Sequence, residues 1–180
     1  MAIVAGDIKI KLAVTTGSAG NSVAQGNVNN SLGKYISTTE ITDATLNNLF
    51  DDISGDENAA STVDYRCLFI HNSHATLSYT SPYIWLSSEV SGGAAIAIGK
   101  DTTSASAIGD SSAQALTIAN ETTAPVGVSF SAPTSKGTGI SLGTIAAGYC
   151  IAVWVRRTSS NSAAKDNDGV TLGISGDTSE

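Results

Sequence analysis

Hydrophobic and polar positions alternate with a period of two over many short stretches of this chain. The clearest falls at 63–86, VDYRCLFIHNSHATLSYTSPYIWL. Val63, Tyr65, Cys67 and Phe69 share one face of an extended segment, and Leu68 and Ile70 occupy the other. Such placement of β-branched and aromatic residues is a strand signature. Apolar residues on both faces predict a central strand covered on both sides. Asn72-Ser73-His74 reads as a turn, with a return strand towards Tyr83-Ile84-Trp85-Leu86.

The same pattern predicts strands at 7–14, 34–39, 94–99, 115–119, 126–131, 140–145, 148–158 and 169–175, separated by turn-rich segments such as SAPTSKGTG and SNSAAKDNDG. Residues 7–14 read as a half-buried strand, with Ile8, Ile10, Leu12 and Val14 set against Lys9 and Lys11. A helical spacing occurs at 43–53, where Asp43 can cap and Leu46, Leu49, Phe50 and Ile53 share a face, with Gly55 as the stop. Residues 15–33 are Gly-, Ser- and Asn-rich, a long loop or an arm that orders only against a partner. Residues 102–114 read as an exposed loop. The expected fold is all-β, an antiparallel β-sandwich of jelly-roll or immunoglobulin-like type, with one short helix in the N-terminal region. A composition shift near residue 62 divides the chain into 1–62 (arm, strand and short acidic helix, either an attachment region or the completion of the sandwich) and 63–180 (the β-sandwich domain).

Composition sharpens this picture. The chain has 180 residues, 41% hydrophobic and 14% charged, enough apolar content for a core and low in charge, as suits short strands joined by polar turns. The net charge is −7, and the few Lys and Arg are scattered apart from Arg156-Arg157, so no basic footprint for nucleic acid exists. No apolar run is long enough to span a membrane, and the first residues do not read as a secretion signal. Cys67 and Cys150 are read as free thiols inside strands, with an immunoglobulin-like bridge flanking Trp85 as the alternative.

Candidate chemistry is sparse. His71 and His74 form HxxH, but residues three apart on a strand and turn point to different faces, so they are read as turn residues and not as metal ligands. Asp166-Asn167-Asp168-Gly169 resembles the end of a calcium loop without its closing Glu, and Asp-Gly is a hairpin signal. No nucleophile elbow occurs, and no pair of acids is singled out for glycosidase work. The expectation is a non-enzyme with no catalytic residue, cofactor or metal. Tyr79, Tyr83, Trp85 and Trp154 could form a sugar-stacking platform, against the ordinary reading of core packing.

Three segments carry a resemblance: 65–77 (YRCLFIHNSHATL), 118–133 (IANETTAPVGVSFSAP) and 148–158 (GYCIAVWVRRT), the last followed by 170–176. They resemble small virion structural proteins of tailed bacteriophages, of the capsid decoration or cement kind. The resemblance implies a β-sandwich on the shell, bound to the major capsid protein or another virion protein, as a homotrimer, without nucleic acid or membrane as partner. A tail, neck or baseplate role is the neighbouring expectation, and a glycan-binding adhesin module is a rival of another class.

Overall fold

A computed structural model describes residues 2–178. Among the described residues nine strands form: β1 (Ile8–Val14), β2 (Tyr35–Glu40), β3 (Val63–Asn72), β4 (Tyr79–Glu89), β5 (Ala95–Lys100), β6 (Ser106–Ala107), β7 (Ile140–Ser141), β8 (Tyr149–Thr158) and β9 (Val170–Thr178). They make one sheet in the order β2-β1-β3-β8-β5, with β6 also on β8, and a second in the order β7-β4-β9. Every strand pairing is antiparallel.

β3 is central because both its faces are apolar. Leu68 and Ile70 join Ile151, Val153 and Val155 of β8 against Ile84 and Leu86 of β4, so the two sheets share one core. On the reverse face Cys67 and Phe69 join Ala152 and Trp154 beneath Ala115 and Ile118, with Leu32, Leu116, Val128 and Phe130 at the margin. Irregular chain therefore covers that face. The strands expected at 115–119 and 126–131 are this cover: the first exchanges backbone hydrogen bonds with Leu32 and Lys34 just ahead of β2, and the second bridges β5 through Ile98↔Ser131. Their alternation plants side chains on the sheet, and their backbone hydrogen bonds stay short of a ladder. Residues 102–114, expected as an exposed loop, contain β6 and the buried Gln114, whose Oε1 accepts from the Ile36 N–H at 3.1 Å.

Residues 15–33 are packed on the sheet and do not form a free arm. Asn21 donates its N–H to the Ile36 carbonyl at 2.6 Å, and Thr38 donates to Val23 at 2.9 Å, so this segment covers the outer edge of β2. It also buries Lys11, whose Nζ donates to Asn21 Oδ1 at 2.9 Å. The Lys11 end of β1 is thereby enclosed, while Lys9 stays partly exposed, as a half-buried strand would have it. β1 and β2 belong to the same sheet as β3, β8 and β5.

The helix expected at 43–53 is absent, since that segment runs in turns with Ala44 and Asn47 at positive φ. The α-helix α1 (Gly55–Ala60) begins at the glycine read as a stop. Ser54 caps it, its hydroxyl accepting from the Glu57 N–H while Glu57 Oε2 accepts from the Ser54 N–H at 2.7 Å. Those hydrogen bonds hold the Glu57 carboxyl below its ordinary pKa. Cys67 faces Trp154 and Cys150 faces His71 along the same ladder, so the thiols lie four rungs apart within one sheet and an inter-sheet bridge does not form. Burial pushes both thiols up, Cys150 to about 12.

Candidate functional site

The segment after β2 forms one wall of a large concavity. It leaves the sheet where Ile41 donates its N–H to the Ile10 carbonyl at 3.0 Å. Asp, Thr and Asn recur through 43–52, all weak helix formers, and tertiary anchors outweigh the helical spacing. Leu49 is buried, whereas Leu46, on the same face of the expected helix, is 68% exposed. Phe50 sits beneath two guanidinium groups, with its ring centroid 5.1 Å from Arg66 and 4.6 Å from Arg157.

Those arginines belong to a buried ionic cluster. Arg66 lies on β3 between apolar neighbours and its side chain has no exposure. The first part of β3 extends beyond its pairing with β1, and loop residues take over there: Tyr65 donates its N–H to the Glu121 carbonyl and Cys67 to that of Ser31, both at 2.7 Å. The same loops bring Asn29 Oδ1 to 2.8 Å and Glu121 Oε2 to 2.5 Å of Arg66 Nη2. Arg157 on β8 faces Asp64 across the ladder, donating to Asp64 Oδ2 through Nη2 at 2.8 Å and Nε at 3.2 Å. It also donates to the Asp51 carbonyl, and Asp51 Oδ2 accepts from Asn29 Nδ2 at 2.8 Å. The cluster fixes segment 43–54 against the sheet. Removing one partner of such a buried pair leaves an uncompensated charge, at a cost of about 3–5 kcal/mol.

Between this segment and β9 opens a cleft of ≈ 1570 Å³. Its floor includes Ile8 and Ile10 of β1, Leu68 of β3 and Ile96 of β5, and its far wall includes Val170 and Leu172 of β9. Loop 159–169 closes one end. Asp168 Oδ2 accepts from the Ala94 N–H at 2.6 Å, and a Cβ on Gly93 would lie 2.0 Å from Asp168 Oδ1, so a side chain there would displace this carboxylate. Asp168 thus ties this loop to the β4–β5 turn. β8 and β9 lie in different sheets, so the Asp-Gly pair makes a turn and not a hairpin.

The histidines stay apart in role. His71 is buried at the end of β3, its Nδ1 unpartnered among the described residues, and burial together with Lys11 lowers its pKa to about 4. His74 is a turn residue, its Nδ1 accepting from the Thr76 and Leu77 N–H groups at 3.1 and 3.0 Å. Among the described residues no group of three or more His, Cys, Asp or Glu is placed to hold a metal. Of the four aromatics, Tyr79 and Trp154 are buried, Trp154 donating its indole N–H to Asp101 Oδ2 at 2.6 Å. Tyr83 and Trp85 are half-buried on β4, and Gly173 opposite gives the Trp85 indole room, since a Cβ there would lie 2.3 Å from Cε2. No family, curated protein or solved structure matches this chain.

The ionic cluster was missed in the sequence, yet its signal was present. Residues 40–64 carry Glu40, Asp43, Asp51, Asp52, Asp56, Glu57 and Asp64 without a Lys or Arg, while Arg66 and Arg157 stand inside strands apolar on both faces. Buried arginine demands acids, and that run supplies Asp51 and Asp64.

Proposed function

We propose that this chain is a non-enzymatic structural protein of a tailed-bacteriophage virion. In this reading it is a capsid decoration or cement protein, made in the host cytoplasm, that binds the major capsid protein and stabilises the assembled shell. Three copies meet as a homotrimer at the three-fold positions a shell offers. The two sheets and their shared core are read as a β-sandwich. The observation that carries the proposal is that the three resembling segments meet in one unit. Residues 65–77 and 148–158 contribute the paired strands β3 and β8. Residues 118–133 lie over them, with Phe130 5.5 Å from the Tyr65 ring and 5.4 Å from the Arg156 guanidinium, and Ile118 in the cluster under that cover.

The chemistry suits a binding protein. Asp51, Asp64 and Glu121 are engaged by arginines, and both thiols are held protonated by burial. Because residues 15–33 pack on their own sheet, attachment falls to other surfaces. The test is add-back of purified protein to shells that lack it. Expected are density on the outer shell and a higher temperature of shell disassembly. Density confined to the tail would move the assignment to a neck, tail or baseplate component, and no binding to the particle would end the reading.

One observation favours a glycan-binding module as a second reading: Tyr83 and Trp85 alternate on β4 with partly exposed rings, about 7 Å apart along the strand. Glycan-array binding that is lost on Trp85→Ala would support it, and an empty array would discard it.

A further inference from the structure

The second sheet ends at β9, and β9 is open. It pairs with β4 alone, and among the described residues no backbone hydrogen bond reaches its other edge. The direction of its free groups follows from β4. Leu86 donates its N–H to the Pro133 carbonyl at 2.8 Å, away from β9. Opposite residues in an antiparallel ladder exchange both bonds or neither, so Leu172, which faces Leu86, turns its N–H and C=O outward. Ile174, opposite Ile84, does the same. The strand VTLGISGDT holds no proline or lysine to blunt this edge, and its nine residues span about 30 Å.

The space beside that edge is the cleft. Val170, Leu172 and Ile174 are only partly buried at the margin of the core, as are Ile8 and Ile10 on the first sheet. A strand laid against β9 would drop alternate side chains onto those residues and cover their remaining apolar surface. Charge decides the occupant. Asp43, Asp52, Glu89 and Asp166 line the cleft against Lys165, while its other two bases, Lys9 and Arg157, are already paired with Glu40 and Asp64. A second copy of a chain of net charge −7 would bring like charge to that rim. We infer that the cleft beside β9 accepts an extended segment of a partner protein, basic and alternating in apolar residues, which adds as a fourth strand to the second sheet. Main-chain bonds to Leu172 and Ile174 give affinity and the acidic rim gives selectivity. This role does not depend on the particle to which the chain belongs.

The experiment uses the full chain and three synthetic peptides: basic KTVKVKITVK, acidic ETVEVEITVE, and KTVKPKPTVK, in which prolines prevent strand pairing. Calorimetry reads affinity, amide hydrogen exchange reads the edge and sedimentation reads self-association. Expected are binding of the basic peptide with new protection at the Leu172 and Ile174 amides, on the order of tenfold weaker binding of the acidic one, and none of the proline one. Asp43→Lys with Asp166→Lys, both on the exposed rim, weakens the basic peptide on the order of tenfold. Failure of the basic peptide to bind, equal binding of the proline peptide, or protection elsewhere overturns the inference. Self-association that protects the same two amides overturns it in favour of a second copy.

Discussion

Replacing Ser31 by alanine tests the account of how the first sheet is held where its strands part. β1 follows β3 only as far as the Leu12↔Leu68 pair, and Ser31 fills the gap beyond. Its hydroxyl accepts from the Ala13 N–H at 2.8 Å and donates to the Cys67 carbonyl at 2.6 Å. Ala13, Ser31 and Cys67 all have 0% exposure, so no solvent can replace the lost oxygen. Ser31→Ala leaves one buried donor and one buried acceptor, each costing about 1–3 kcal/mol. The hydroxyl leaves a void smaller than a water, so water rescue is not expected. A loss of about 3 kcal/mol follows, near the low end of the summed range because neighbouring backbone can relax. For a domain of this size that lowers Tm by about 6–12 °C. Urea denaturation with an unchanged slope gives the free energy, and native-state hydrogen exchange at Ala13 gives the local effect. A loss under about 1 kcal/mol, or unchanged protection of the Ala13 amide, would refute the bridging role.

Arg157→Met strands Asp64, which is 1% exposed, and should cost about 3–5 kcal/mol, whereas Arg157→Met with Asp64→Leu should recover more than half of it; an additive double-mutant cycle by urea denaturation would contradict the buried pair. For His71 the folded pKa of about 4 lies below the ordinary 6.5, so the unfolded chain binds the extra proton between those values. Stability should therefore fall as pH drops from about 6.5 to about 4 and level off below, by up to about 3 kcal/mol, and His71→Phe should flatten that part of the pH–stability curve.

What the sequence made legible follows from how many forces agreed at each place. β3 and β8 were readable because strand propensity, alternation and burial on both faces all favoured the same answer, and the turn expected from Asn72 and the bounds 148–158 fall within one residue of the structure. The 43–53 helix fails because the Asp43 cap, the apolar spacing and the Gly55 stop are all local signals. Phe50 is claimed by two arginines and Asp51 by Arg157 and Asn29, contacts made by residues far away in sequence. The alternation at 115–119 and 126–131 was real, but period two reports side chains taking opposite sides and says nothing about a neighbouring strand. Trp154 was correctly expected in the core, while the sequence could not separate Tyr79, which is buried, from Tyr83, which is not.

The edges of the two sheets, taken together, give the open side of the second sheet its weight. β2 is covered by residues 21–25, β5 is bridged by Ser131, and β7 is a two-residue strand too short to recruit a partner. Each solution draws on the chain's own residues, as expected of folds that avoid edge-to-edge association. Among the described residues β9 has no such cover, and the apolar residues on its inner side remain only partly buried. Segment 43–54 is held towards Arg66 and Arg157 by Phe50 and Asp51, and the cleft lies between it and β9. The buried ionic cluster thus costs desolvation and helix propensity, and beside the segment it holds lies a strand with one free edge, facing an acidic, apolar-floored groove.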